Sequence, residues 1–252
     1  MDNHIHINSV SSTNSYLKEM TENCCLEKRR ECFPPYFAVT ADSQQQGRGR
    51  RGKCWESEAG KNLLLSVLLY PQIHPSLQFR VCRQVSVAVA KCLEDTFSVE
   101  KVSVKWPNDI YIKDKKTAGI LIEHFLREDY IHYSIVGIGI NINQTSFSSA
   151  LPNPTSICLE TGKTYSPNDC CEKIINQIKQ TENDTAESLE EQYLHYLYKY
   201  NVFSDYVLPK IAKQPLRLKI TGVDAVGRLQ LTDEKHHLFS CAFDEVIYCF
   251  DK

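Results

Sequence analysis

Hydrophobic residues recur along this chain at two spacings, one typical of strands and one typical of helices. Apolar runs at 36–41 and 62–70 are short and end at polar or proline residues, which favours buried strands. Between 76 and 97, apolar residues from Leu77 to Cys92 repeat every three or four positions, as on one face of an amphipathic helix. Further strands are predicted at 101–106, 109–112, 117–125 and 131–142, with a charged turn at 113–116 and helices at 167–180 and 186–200.

The pattern changes after Pro209, where short apolar stretches alternate with turn residues. Strands are predicted there at 216–221, 228–232, 237–242 and 245–250, which suits a small β-barrel. We therefore expect two domains, residues 1–208 and residues 209–252. The mixture of helices, strands and hairpins in the first domain favours an α+β fold with a mixed or largely antiparallel sheet.

Composition excludes several classes of protein. Of the 252 residues, 42% are hydrophobic and 24% are charged, which is typical of a globular protein and not of a disordered chain. The net charge of −2 argues against a whole-protein electrostatic grip on DNA or on an anionic membrane. No apolar run approaches the ~20 residues that cross a bilayer, and the N-terminus lacks the apolar core of a signal peptide. We expect a cytoplasmic protein without membrane contact.

Eleven cysteines and two histidine pairs raise the question of disulfides or bound metal. No C-x-x-C spacing occurs, so zinc-ribbon and thioredoxin-type sites lack their usual signal. We expect reduced cysteines that serve mostly as small buried apolar side chains. Strand positions and exposed turns explain the pairs His4/His6 and His236/His237, so no protein metal site is predicted.

The densest chemical signal is the segment GRGRRG at 47–52. It matches the G-x-G-x-x-G pattern of dinucleotide-binding proteins, but that motif needs a strand directly before it and an apolar helix behind it. Here polar residues 42–46 precede the glycines and no helical period follows them. Three arginines beside glycines suit a nucleotide phosphate chain instead. Taken alone, the segment is explained equally well as a basic loop without a ligand.

Four other segments carry residue types found in ligand sites, although each has an ordinary structural explanation. Residues 11–14 (SSTN) are typical of a helix N-cap. Residues 105–109 (KWPND) form a proline-induced break after a strand. Lys116 ends the charged turn. The glycines of 137–143 (GIGININ) allow a ligand or a neighbouring strand to approach the backbone closely.

Together and in this order, these segments resemble the signatures of the biotin–protein ligases, also called biotin–[acetyl-CoA-carboxylase] ligases. The matching stretches are SSTN, QQ-x-GRGRRG, KWPND, K-x-AGILIE and GIGIN, and they run from about residue 10 to residue 143. The resemblance implies the class II synthetase-like catalytic fold of biotin and lipoate ligases, followed by a small SH3-like β-barrel.

The resemblance also implies a reaction. Members of the family form biotinyl-5′-adenylate from biotin and ATP with Mg²⁺, and then pass biotin to one lysine of a biotin carboxyl carrier protein. A homodimer is compatible with the resemblance. Only about ten residues precede SSTN, which is too few for the helix-turn-helix domain with which some relatives bind DNA. We therefore expect the ligase-only form, with no DNA partner.

The matching motifs imply a set of site residues. Biotin is expected to contact Ser12, Thr13, Asn14, Gln45, Arg48, Gly49, Arg50 and Lys116. ATP or the adenylate is expected to contact Arg48, Arg50, Arg51, Trp55, Asn108 and Asn141. The catalytic residues are expected to be Lys116, Arg50 and Asp109, with Asp109 orienting the incoming lysine. Gln46 and Lys61 depart from the family pattern beside the loop, which concerns the loop's dynamics and not the type of reaction.

Two other functions stay open. A lipoate–protein ligase has the same catalytic fold and also adenylates a carboxylate, but it lacks the pairing of GRGRRG with KWPND. A non-enzymatic RNA-binding protein could use the arginine–glycine loop. Such binding needs basic and aromatic residues beyond the loop, whereas the flanks here are DSQQQ and WESE.

Overall fold

The computed structural model describes residues 3–250, apart from the side chain of Arg51. A seven-stranded sheet is ordered β1-β2-β3-β7-β6-β5-β4. β1 and β2 run parallel and the other neighbours run antiparallel, so the sheet is mixed, as predicted. Its strands are β1 (His4–Val10), β2 (Ala38–Gln44), β3 (Leu63–Leu69), β4 (Val102–Lys105), β5 (Asp109–Ile112), β6 (Lys115–Arg127) and β7 (Tyr130–Ile140).

The helices lie on both faces of this sheet. They are α1 (Thr13–Glu22), α2 (Arg29–Cys32), α3 (Phe79–Phe97), α4 (Ile157–Thr161), α5 (Pro167–Gln180) and α6 (Ala186–Tyr196). β3 is buried along its whole length, and because its residues alternate between two faces it supplies both hydrophobic layers. Leu65 and Val67 join the core under α3, α5 and α6. Leu68 packs with Leu17 of α1 on the opposite face.

A second sheet of five strands forms the C-terminal part of the chain. Its order is β11-β10-β9-β8-β12, with every neighbour antiparallel. The strands are β8 (Phe203–Leu208), β9 (Ala212–Val223), β10 (Leu229–Thr232), β11 (Leu238–Cys241) and β12 (Ile247–Tyr248). The sheet thus begins at Phe203, before the predicted boundary at 208/209, because the alternating residues of β8 pair with β9. The division into two domains at 208/209 stays a prediction.

Most predicted helices and strands are confirmed, with small shifts at their ends. α5 has the predicted bounds. α3 begins at Phe79, after one turn of 3-10 helix at Pro75–Leu77, and α6 ends at Tyr196 and not at 200. Ser12 is the N-cap of α1, and its hydroxyl accepts a hydrogen bond from the Ser15 amide, as the SSTN segment predicted.

The cysteines were predicted to be reduced and mostly buried. All eleven cysteines lie within the described residues and none is in a disulfide. Only five of them are buried, so the expectation that most would be buried was wrong.

Among residues 3–250, no helix is long and apolar enough to span a membrane.

The small sheet rests on the KWPND segment and on α3. The indole Nε1 of Trp106 donates a hydrogen bond to the carbonyl oxygen of Gly227 at 3.0 Å. Arg83 of α3 donates to the carbonyl oxygen of Val223 at 2.6 Å. A Cβ at Gly227 would lie 2.6 Å from the ring of Phe79, so this turn of the small sheet needs a glycine to sit against the helix. These contacts fix the small sheet against the large one at the KWPND segment and α3.

Candidate active site

A cavity of about 710 Å³ opens on the α1 face of the large sheet, next to the N-terminus of that helix. Residues of β3, β6 and β7 line its floor, the arginine–glycine loop contributes one wall, and the small sheet contributes another. The cavity brings together most of the predicted site residues: Ser12, Thr13, Asn14, Arg48, Gly49, Arg50, Trp55, Asn108, Asp109, Lys116 and Asn141. Arg51 was also predicted, but its side chain lies outside the described part of the structure.

Three strand glycines form the floor of the cavity and add no side chains of their own to it. Gly119 of β6 lies opposite Gly139 of β7, and Gly137 lies opposite Ser66 of β3. A Cβ at Gly137 would lie 2.5 Å from the side-chain oxygen of Asn14. The sequence suggested a close approach at the β7 glycines, but none of the three was among the predicted site residues. Their cross-strand alignment produces a flat surface on which a ligand can lie.

Uncharged polar groups form one end of the cavity. The Ser66 hydroxyl lies 2.8 Å from the Thr13 hydroxyl and 2.6 Å from the side-chain oxygen of Asn14. The amide nitrogen of Asn14 donates to a carboxylate oxygen of Glu123 at 2.9 Å. Ser66, Thr13 and Asn14 are all buried. This network holds donors and acceptors in fixed positions, as recognition of a neutral polar ligand requires.

The structure places Gln44, and not Gln45, at this end of the cavity. The side-chain oxygen of Gln44 accepts a hydrogen bond from the Thr13 amide at 2.8 Å, and that amide belongs to the first turn of α1. Gln45 is exposed and does not line the cavity. Biotin contact by Gln45 stays a prediction, and the structure adds Gln44 as a residue that lines the cavity. Two adjacent glutamines look alike in the sequence, and only the position of the helix distinguishes them.

The arginine–glycine loop folds as a short hairpin. The Gly49 amide donates to the Lys53 carbonyl oxygen at 2.6 Å, and the Trp55 amide donates to the Gly47 carbonyl oxygen at 2.9 Å. A guanidinium nitrogen of Arg48 lies 3.2 Å from a carboxylate oxygen of Glu123. Glu123 thereby connects the loop to the neutral pocket, a role that no pattern in the sequence indicated.

Trp55 covers the glycine floor. A Cβ at Gly139 would lie 2.5 Å from the indole ring, and one at Gly119 would lie 3.1 Å from it. The Lys116 ammonium nitrogen is 5.7 Å from the ring centroid. The indole nitrogen is buried and has no hydrogen-bond partner among the described residues. A ligand that enters this floor must contact or displace the ring.

Lys116 lies in strand β6, and not in the turn that the sequence predicted. Strict alternation would direct it to the same face as Ala118, which is buried in the core. A β-bulge between β5 and β6 pairs Tyr111 with Lys116 but Ile110 with Ala118, so Lys116 moves to the cavity face. There its ammonium nitrogen is 2.7 Å from a carboxylate oxygen of Asp109. The hairpin therefore delivers a lysine and an aspartate to the cavity as an ion pair.

Asn108 and Asn141 are buried at the cavity wall, and both are held by the backbone. The side-chain amide of Asn108 donates to the Ile120 carbonyl oxygen. That of Asn141 donates to the Thr155 carbonyl oxygen at 2.9 Å. Fixing the amide nitrogens in this way also fixes the carboxamide oxygens, which are hydrogen-bond acceptors.

Lys105 is a cavity residue to which the sequence assigned no role. Its ammonium nitrogen lies over three aromatic rings, at 5.5 Å from the centroid of Tyr111, 4.7 Å from Tyr248 and 5.4 Å from Phe250. Two of these rings come from the small sheet or follow its last strand. Burial lowers the pKa of Lys105, while the Asp109 carboxylate acts in the opposite direction. No pattern in the sequence predicted that Tyr248 and Phe250, near the C-terminus, would lie beside the Lys105 ammonium group.

The described residues contain no group of three histidine, cysteine, aspartate or glutamate side chains that could hold a metal ion. The cavity instead gathers the cations Arg48, Arg50, Lys53, Lys105 and Lys116 next to a neutral polar pocket. Such a site is suited to bring an anion against a second ligand with a polar, uncharged end. The fold and the site thus define an α+β protein with a glycine-lined sheet cavity that is suited to bind an anion beside a neutral polar ligand.

The comparisons with known proteins agree with this class. The family model described as "Biotin/lipoate A/B protein ligase family" matches residues 8–141, just over half of the chain. The chain belongs to this family.

Two curated relatives are named "Bifunctional ligase/repressor BirA". The protein from Bacillus subtilis is 36% identical over 140 residues, which are 56% of this chain and 40% of the relative. The protein from Escherichia coli is 31% identical over 171 residues, which are 68% of this chain and 50% of the relative. The chain thus spans half or less of the length of these two relatives.

Solved structures match over nearly the whole chain. The biotin protein ligase from Aquifex aeolicus, described as a complex with biotin and ATP, has a TM-score of 0.74 and 28% identity. The match covers 98% of each chain, so it includes the small C-terminal sheet as well as the large one. The predicted ligase-type catalytic fold with a small C-terminal β unit is confirmed.

Proposed function

We propose that this protein is a biotin–protein ligase that makes biotinyl-5′-adenylate and transfers biotin to a lysine of a biotin carrier domain. The observation that carries the proposal is that one cavity contains a neutral polar pocket, a floor of glycines from β6 and β7, and a cluster of cations from the arginine–glycine loop, β4 and β6. Biotin has a ureido ring, an apolar tail and a carboxylate. The names of the relatives and the biotin and ATP of the Aquifex aeolicus structure support the same function.

The neutral pocket is suited to the ureido ring. That ring offers N–H donors and a carbonyl acceptor but no charge, and the pocket is lined by the hydroxyl group of Thr13 and the carboxamide of Asn14, which the buried Ser66 hydroxyl contacts from behind. The glycine floor then gives the apolar tail a path toward Lys116 once the Trp55 ring, which covers Gly119 and Gly139, has moved aside. Biotin bound in this orientation places its carboxylate among the cations.

The first step joins two anions. A carboxylate oxygen of biotin attacks the α-phosphorus of ATP, and pyrophosphate leaves with the bonding electron pair. Lys116 and Arg50 are proposed to offset the repulsion between the anions and the charge that grows in the transition state. Lys116 is only about one-third exposed, so its charge acts in a partly water-excluded site.

Mg²⁺ would be held mainly by the phosphates of ATP. The described residues offer it no ready-made cage, while Asp109 and Glu56 supply carboxylates at the cavity wall. One or two carboxylates together with substrate phosphates are the usual set for this ion. Bound there, Mg²⁺ would supply further positive charge to the phosphate chain.

The nucleotide is proposed to lie between Trp55 and the two buried asparagines. The fixed carboxamide oxygens of Asn108 and Asn141 suit the amino group of adenine. The indole of Trp55 offers an aromatic surface for the base. Arg48 and, by resemblance, Arg51 would approach the phosphate from the loop.

In the second step the carrier lysine attacks the acyl carbon of the adenylate, and AMP leaves. Asp109 is proposed to orient that lysine, which requires the carboxylate to be available. In the ligand-free structure Asp109 pairs with Lys116. Binding of the adenylate would draw Lys116 toward the phosphate and release Asp109 for this role.

We propose that the catalytic residues belong to the part of the chain before β8 and that the small sheet is a second unit. The proposed cytoplasmic location, the homodimer and the lack of a DNA partner stay predictions.

One assay tests the function directly. The purified protein is mixed with ATP, Mg²⁺, biotin and an isolated biotin carrier domain, and the carrier is weighed by mass spectrometry. We expect one added biotin per carrier domain, on one lysine, and only when ATP is present. A carrier that stays unmodified with biotin while a lipoyl domain gains lipoate would instead make the protein a lipoate ligase. No modification by either acid, combined with saturable RNA binding, would favour the RNA-binding alternative.

Intrinsic fluorescence gives a second test, because the chain has only two tryptophans. Trp55 covers the proposed ligand floor, whereas Trp106 also borders the cavity but is buried, with its indole nitrogen donating to the Gly227 carbonyl oxygen. Addition of biotin and ATP should therefore produce a saturable change in emission, through contact with Trp55 or through its displacement. Trp106→Phe should retain the change and Trp55→Phe should lose it. A response that follows Trp106 would contradict the proposed position of the ligand.

A further inference from the structure

Arg50 of the arginine–glycine loop lies against an aromatic residue of the small sheet. Its guanidinium carbon is 3.7 Å from the centroid of the Phe243 ring, which is a close cation–π contact. Phe243 lies in the turn after β11, far from the loop in sequence. The contact therefore connects a catalytic candidate to a part of the chain outside every signature segment.

Phe243 is held firmly in place. Its ring lies 5.6 Å, centroid to centroid, from that of Trp106, which is itself anchored by the hydrogen bond to Gly227. The turn that carries Phe243 is closed by Glu245, whose carboxylate accepts a hydrogen bond from the Ala242 amide at 2.6 Å. The same carboxylate lies 2.7 Å from the Lys210 ammonium nitrogen. The phenylalanine is thus a fixed point against which the loop can be placed.

The arginine–glycine loop needs a fixed contact such as Phe243 more than a helix or a strand would. Its three glycines raise the entropy that is lost when the chain is ordered, and its clustered arginines repel one another. The hairpin hydrogen bonds at Gly49 and Trp55 join the loop only to itself. Contacts from its side chains to neighbours, at Ser15, Glu123 and Phe243, therefore contribute to where the loop lies over the cavity.

We propose that Phe243 is a positioning residue that docks the arginine–glycine loop on the small sheet through Arg50. The docked loop covers the cavity and slows both the escape and the hydrolysis of the reactive acyl-adenylate before a lysine arrives. The second part of this inference depends on the proposed ligase function. The first part, the docking of the loop, does not.

The test compares three variants. Phe243→Leu keeps an apolar side chain beside Trp106 but removes the aromatic face, and Phe243→Tyr restores that face. Phe203→Leu is the matched control, because Phe203 lies in the same sheet with the Lys219 ammonium nitrogen 5.4 Å from its ring centroid, but does not line the cavity. Hydrogen exchange is followed at the amides of Gly49, Lys53 and Trp55 without any ligand, and thermal unfolding is measured for each variant.

Phe243→Leu should exchange about fivefold faster at these amides than the unsubstituted protein, which equals about 1 kcal/mol. Phe243→Tyr and Phe203→Leu should exchange at the original rate. With biotin and ATP but no carrier, the leucine variant alone should also release AMP several-fold faster, because its adenylate escapes or hydrolyses. Unchanged exchange in Phe243→Leu, or equal acceleration in Phe203→Leu, would overturn the docking. Faster exchange without any AMP release in the unsubstituted protein would retain the docking and remove the ligase function.

Discussion

Replacing Lys116 by alanine is expected to slow adenylate formation by on the order of a hundredfold or more. The lysine lies on the cavity floor between the proposed carboxylate and phosphate positions, and no water replaces a fixed cation equally well in such a site. The rate is measured as pyrophosphate released from ATP in the presence of biotin. The free energy of unfolding should fall by less than about 1 kcal/mol, because the ion pair with Asp109 is partly exposed.

Lys115 provides the matched control for this variant. It is the neighbouring lysine of the same strand, but it is exposed and outside the cavity. Lys115→Ala should therefore release pyrophosphate at the original rate. A near-normal rate for Lys116→Ala would remove Lys116 from the chemistry, whereas an equal loss in both variants would point to damage of the strand.

Gly137→Ala should weaken the binding of biotin by tenfold or more, with a smaller effect on the binding of ATP. The new methyl group would lie 2.5 Å from the Asn14 side-chain oxygen. Asn14 cannot easily move away, because it is hydrogen-bonded to both Ser66 and Glu123. The clash must therefore distort the neutral pocket, and the free energy of unfolding should fall by about 1–3 kcal/mol. Calorimetric titration with biotin measures the first effect and thermal unfolding measures the second.

Gly222 is the corresponding control among the strand glycines. It lies in β9, and a Cβ at this position would meet nothing within 4 Å. Gly222→Ala should leave biotin binding unchanged. If Gly137→Ala binds biotin as tightly as the unsubstituted protein, then the pocket of Thr13, Asn14 and Ser66 is not where the ureido ring lies.

Local patterns predicted the secondary structure well where a segment carries its own signal. The 19 residues of α3 show an apolar period along their whole length, and α5 begins at a serine cap followed by proline. β8 was not predicted as a strand, and β1 was anticipated only through the strand positions of His4 and His6, because the alternating residues of both strands are partly polar and include exposed positions. Their assignment depends on the neighbours with which they pair.

Single residues of the site show the same difference between what a local pattern predicts and what depends on the rest of the structure. The types and order of its residues can be found in the sequence, since glycines, arginines, a lysine and buried amides occur in short recognisable segments. The direction in which each side chain points cannot be found in the sequence. Lys116 reaches the cavity only because a β-bulge moves it off the core face, and Gln44 is selected over Gln45 by the first turn of α1.

The sequence alone therefore determined the fold class, the family resemblance and most of the chemical groups of this site, because those depend on local periodicity and on short motifs. Tertiary structure alone decided which groups meet. Glu123 joins Arg48 to Asn14, and Phe243 meets Arg50, although each pair is separated by a long stretch of chain. Contacts of this kind depend on strand register and on how the two sheets pack, and neither leaves a pattern in the residues that make the contact.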